Sequence, residues 1–118
     1  MILLVRNQTR NTVLGDRVDV ADTGAKRRTG LLNHTRLNPG EGLWIVPCEA
    51  VHSFGMKFAI DVVYIDRKKK VRKTRAAMVP RRISGCLLAH SVLELPVGVI
   101  EASGTKAGDQ LLFEERDT

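Results

Sequence analysis

Cys48 and His52 lie four residues apart in CEAVH, directly ahead of SFGMKFAID, which carries Lys57 and Asp61. A thiol, an imidazole, an amine and a carboxylate in one short stretch could bind a polar ligand. They could also run nucleophilic chemistry, if the imidazole takes the thiol proton and Asp61 or Glu94 orients the ring. Four residues of extended chain separate two side chains by about 13 Å, so Cys48 and His52 meet only where the chain turns. Pro47 and Gly55 favour such a bent loop. Glu94, inside the apolar run VLEL, is either a partly buried carboxylate with a raised pKa or the outward residue of a strand. Asp109, after Gly108, reads as a turn residue. The plainer readings are that a cysteine at a strand end is a small hydrophobe and a single histidine a hydrogen-bonded filler.

The Cys-x-x-x-His spacing returns at Cys86 and His90, so two pairs of zinc-competent side chains are present. Structural zinc sites are usually marked by tighter ligand pairs, and His90 also suits the polar first position of an apolar strand. No metal is assigned, and whether a cofactor is bound is left unknown.

Lys and Arg number 19 against 13 Asp and Glu. The excess is local: residues 67 to 82, RKKKVRKTRAAMVPRR, hold nine of the basic side chains and no acid, so elsewhere acids outnumber bases. Lys68, Lys69, Lys70 and Arg72 are candidate anion-binding residues, and nucleic acid is a conceivable partner. The run contains no aromatic to stack on a base, so such binding would be directed at the backbone. Protection of an exposed hairpin against edge-to-edge pairing is the preferred explanation.

The elements that must position these residues are short. ILLV near the start and TVLGDRVDVA read as strands. Asp22 or Thr23 caps a helix of about two turns, whose last turn carries Lys26, Arg27 and Arg28 and which Gly30 ends. Leu37 to Gly42 is a turn leading into LWIVPC, a buried strand stopped by Pro47. Phe54, Met56, Phe58, Ile60, Val62 and Tyr64 alternate, which predicts one strand from Phe54 to Ile65. Asp66 to Lys70 then connects to a returning strand, VRKTRAAMV, and HSVLEL is a further strand. Pro96 starts a helix through Ala102 that Gly104 ends, and GDQLLFEE is the last strand.

Six or seven strands joined without long crossover helices predict a single α+β domain over residues 1–118. It should be strand-rich and mainly antiparallel, a small barrel or sandwich with two short helices. Phosphate-binding glycine fingerprints and apolar runs of membrane-spanning length are absent. The start MILLVRN does not read as a signal peptide, so the expected location is a bacterial-type cytoplasm with reduced thiols.

Taken in order, RRTGLLNHTRL, LWIVPCEAVHSFGMKFAIDVVYIDR, VLELPVG and GDQLLF resemble the DUF192 (UPF0127) family of uncharacterised conserved proteins over about Asp16 to Phe113. The resemblance implies one compact, strand-rich α+β domain and supplies no reaction, substrate or cofactor. Matching positions include Gly30, Leu31, Cys48, His52, Gly55, Met56, Lys57, Asp61, Asp66, Glu94, Pro96, Gly98, Gly108 and Asp109, whereas Cys86 and His90 fall outside the shared motifs. Ala59 stands where the family pattern commonly has proline, and RKKK replaces a turn that often carries glycine.

The combined reading is a small non-catalytic ligand-binding or accessory domain. Its ligand-binding candidates are Cys48, His52, Lys57, Asp61 and Glu94, and its ligand is an unidentified small molecule. On this reading His52→Ala and Asp61→Asn remove binding and leave the thermal midpoint nearly unchanged. The competing classes are a Cys/His-dependent enzyme and a nucleic-acid binder acting through residues 67–82. Oligomeric state is not legible in these residues.

Overall fold

The computed structural model describes residues 1–116. Nine strands and two helices run in the order β1 (Ile2–Asn7), β2 (Thr12–Ala21), α1 (Gly24–Thr29), β3 (Glu41–Ile45), β4 (Ala50–His52), β5 (Ile60–Ile65), β6 (Val71–Met78), β7 (Ile83–Gly85), β8 (Ser91–Leu95), α2 (Val99–Ser103), β9 (Leu111–Arg116). Seven strands form one sheet ordered β6-β5-β8-β3-β2-β1-β9, while β4 and β7 make a separate two-stranded ribbon. Every pairing is antiparallel except β2 with β3. Helix α1 and the following turns supply the crossover that this parallel pair needs.

The sheet curls but does not form a closed barrel. Among the described residues its edge strands meet near one end, where Val71 N donates to Asp109 O and Leu111 N to Lys69 O, both at 2.9 Å. Asp109 fastens this end. Its carboxylate accepts from Asn7 Nδ2 at 3.0 Å, Arg10 Nε at 3.1 Å and Lys106 N at 3.0 Å. Burial alone would raise its pKa, but these bonds outweigh that and hold it below the usual aspartate range.

Apolar cores lie on both faces of the sheet. Leu3, Val5, Val18, Val63, Leu93, Leu95 and Ile100 belong to one, whereas Leu31, Leu43, Ile45, Val51, Ile60, Val62, Tyr64 and Val92 belong to the other. The central strands β5 and β8 are therefore buried at every position.

Helix α1 follows the sequence reading. Thr23 Oγ1 accepts from Lys26 N, and Gly30 ends the helix with a positive φ of 48°. Three other readings are corrected. The strand expected from Phe54 begins only at Ile60, because Ser53 to Met56 turns with Met56 N bonded to Ser53 O, and Gly55 has φ 83°. Met56 and Phe58 still pack against the same core as Ile60, Val62 and Tyr64, so alternation identified the face but not the conformation. The short strands β4 and β7 were not expected, and neither offers more than three residues of pattern. The second helix starts at Val99 rather than Pro96. Asp61 caps it from across the fold, with Oδ2 accepting from Gly98 N at 3.1 Å and Ile100 N at 2.9 Å.

Candidate functional site

Strand β8 places Glu94 between Leu43 of β3 and Val62 of β5, on the face of the second core. Gly42 lets the strands lie this close, since a Cβ there would stand 2.9 Å from Glu94 O. Glu94 is 5% exposed, and its side chain reaches a cleft of about 180 Å³. The end of α1 and the turn after it form one wall, with Arg27, Arg28 and Gly30. Pro47, Cys48, Ala50 and His52 form another, and Met56 completes the lining.

Burial pushes the Glu94 carboxyl up to about 7 from an ordinary 4.5, and among the described residues no hydrogen bond or cation opposes that rise. A carboxylate without hydrogen-bond partners is expensive to bury, and buried charges are normally paired. The arginines of the lining are Arg27 and Arg28. Arg27 Nη1 donates to Asp22 O at 3.2 Å, and its charge lowers the Cys48 thiol pKa while that of Glu94 raises it.

Cys48 and His52 share the cleft, because the chain turns after Pro47 and pairs as β4 with β7. They do not form a hydrogen-bonded pair. Cys48 Sγ donates to Ala50 O at 3.1 Å, and burial is the largest influence on the thiol, pushing its pKa up from 9.0. His52 is exposed, with its ring 6.0 Å from that of Phe54.

Asp61 and Lys57 lie outside this lining. Asp61 is opposite Leu95, whereas Glu94 is opposite Val62, so a one-residue offset puts the two acids on opposite faces of the sheet. Both Asp61 oxygens serve the backbone: Oδ1 accepts from Ala77 N at 2.9 Å, and Oδ2 holds the start of α2. Lys57 Nζ donates to Leu32 O at 3.1 Å, tying the loop after β4 to the turn after α1.

The second Cys/His pair does not complete a metal site, since no group of three or more His, Cys, Asp or Glu suited to a metal occurs among the described residues. The basic residues also separate. Lys68, Lys70 and Arg72 line a groove on the β5–β6 hairpin, whereas Lys69 Nζ lies over the Trp44 and Phe113 rings, at 5.1 and 5.7 Å from their centres.

Sequence reasoning assigned Arg27 and Arg28 only to the helix dipole. Their position on the cleft wall requires knowing that the end of α1 and strand β4 line the same cleft. The RRTGLL motif was the available signal that this segment matters.

This open, curled sheet with a cleft at the α1–β3–β4 corner is a strand-rich α+β domain. The chain belongs to the DUF192 family (Uncharacterized ACR, COG1430), whose model matches residues 4–113. A UPF0127 protein from Thermococcus sibiricus is 32% identical over 113 residues, covering 92% of this chain and 73% of that protein. A solved structure of a protein of unknown function from Novosphingobium aromaticivorans DSM 12444 superposes with a TM-score of 0.80 at 22% identity, covering 95% of this chain and 84% of that one. Another, a Sinorhizobium meliloti 1021 protein described as a candidate transcription regulator, gives a TM-score of 0.82 at 21% identity, covering 94% and 91%. At these identities the two structures establish the shared fold.

Proposed function

We propose that this protein is a small-ligand-binding domain whose ligand is anchored by Glu94 in the α1–β3–β4 cleft. The observation that carries the reading is a buried carboxyl group, without a hydrogen-bond partner among the described residues, at an accessible cavity. The ligand presents a hydrogen-bond donor or a cationic group to Glu94 and an anionic group to Arg27 or Arg28, with His52 as a polar contact at the wall. Its size is modest. The cavity is about 180 Å³, below the roughly 300–1,000 Å³ typical of sites for drug-sized ligands.

A binding role is favoured over thiol chemistry because burial suppresses the Cys48 thiolate and its proton is directed to Ala50 O. Iodoacetamide at pH 7.5 should therefore alkylate Cys48 in the folded protein at least tenfold more slowly than free cysteine. Faster labelling, lost in His52→Ala, would favour the catalytic reading.

The ligand itself is sought by native mass spectrometry of untagged wild-type protein and Glu94→Gln, purified in parallel from the same cells. Wild type should carry a mass excess that is released on denaturation and absent from the variant. Equal retention by both proteins, or a bare wild type, would count against a Glu94-anchored ligand.

A further inference from the structure

A second surface lies on the β5–β6 hairpin, and its composition is unlike that of the cleft. Arg67, Lys68, Lys70 and Arg72 line a groove of about 590 Å³ whose other side is formed by Leu87 and Leu88. These two leucines are 89% and 64% exposed, in a chain that buries most of its large aliphatic side chains. They are held outward by an anchored turn, since Cys86 N donates to Glu49 O at 2.8 Å and Ala89 N to Cys86 O at 3.0 Å. The acid in the lining, Asp66, is already engaged. Its Oδ1 accepts from Lys68 N and Lys70 N at 2.9 Å, and Oδ2 lies 3.9 Å from Arg72 Nη1.

We infer that this face docks onto an anionic phospholipid bilayer, with the hairpin cations at the headgroups and Leu87 and Leu88 entering the boundary with the acyl chains. Charge complementarity and the adjacent leucine pair together select this occupant. Nucleic acid would use the cations but has no use for two exposed leucines, and the groove offers no Phe, Tyr or Trp to stack on a base, its one ring being that of His90. Lipid headgroups supply the negative charge and the apolar layer beneath them in one partner. The surface is distinct from the Glu94 cleft, so the inference does not depend on the ligand-binding reading.

The test is co-sedimentation of the full chain with vesicles of equal parts phosphatidylglycerol and phosphatidylcholine, against vesicles of phosphatidylcholine alone. Binding should require phosphatidylglycerol and fall steeply as salt rises. It should weaken about fivefold for each of Lys68→Gln, Lys70→Gln and Arg72→Gln. Leu87→Ser combined with Leu88→Ser should weaken it by about tenfold or more. Both leucines are surface groups, and an unchanged circular dichroism spectrum verifies that the variant folds. Absence of binding to anionic vesicles at low salt would overturn the inference, as would binding indifferent to the leucine pair, which is charge adsorption only. Concentration-dependent dimerisation abolished by the leucine variant would assign the face to a second copy. Leucine-independent binding to duplex RNA without vesicle binding would assign it to nucleic acid.

Discussion

Glu94→Gln should raise the thermal midpoint by roughly 10 °C at pH 8 and leave it nearly unchanged at pH 4. The folded state holds the Glu94 carboxyl at about 7, against 4.5 for the ordinary group. Because that pKa is raised, the folded protein binds the proton more tightly than the unfolded chain does. Stability from this group is therefore complete below about pH 4.5, declines as pH rises towards 7, and stays reduced above it. A shift of this size corresponds to about 3 kcal/mol. Glutamine keeps the shape and removes the ionisation, so its gain should follow the same profile. Calorimetric midpoints of the two proteins at both pH values provide the check. A drop at pH 8, or an equal gain at pH 4, would mean that Glu94 has a stabilising partner or a solvated carboxylate. Asp109 works in the opposite direction: its depressed pKa contributes stability at neutral pH that is lost as pH falls through the folded value. Wild-type stability should therefore be greatest between the two titrations. A destabilising acid at the edge of a cleft is the pattern expected where binding, rather than stability, sets the residue.

The second large effect concerns Asp61. Asp61→Ala removes the acceptor for Ala77 N, Gly98 N and Ile100 N and should cost roughly 3–5 kcal/mol in urea unfolding. That is a large part of the roughly 5–15 kcal/mol that stabilises a typical domain. Asp61→Asn should fall between wild type and alanine, because its one carbonyl oxygen serves a side of the group while its amide meets backbone donors on the other. His52→Ala, on an exposed position, should change the unfolding free energy by less than about 0.5 kcal/mol. The sequence reading grouped Asp61 with His52 as residues removable without loss of stability, and the hydrogen bonds now separate them. An Asp61→Ala protein as stable as wild type but devoid of the ligand adduct would return Asp61 to the binding site.

Local signals were the most legible part of this chain. Thr23 and Gly30 marked the ends of α1, Asp66 to Lys70 marked the hairpin turn, and Val92 to Leu95 marked a buried strand. What stayed hidden depended on register and on distant partners. Alternation from Phe54 onward described a side that faces the core, which a bent loop can satisfy as well as a strand. The face occupied by Asp61 depends on its pairing with Leu95, a contact across 34 positions that no local pattern encodes. Cys48, His52 and Glu94 were legible as candidates, but their convergence required β4 to turn back against β7. Arg27 and Arg28 had a sufficient local explanation as helix-dipole partners, which concealed their place on the cleft wall.

The ligand-binding account rests on Glu94 being an acid that the folded chain buries and leaves for something else to satisfy. Carbon-13 NMR of the Glu94 side-chain carboxyl, assigned by comparison with Glu94→Gln and followed across pH 3 to 10, measures this directly. The account predicts a midpoint near 7 in the ligand-free protein. A midpoint close to 4.5 would show that the carboxylate is already paired or solvated, and the cleft would lose its anchor.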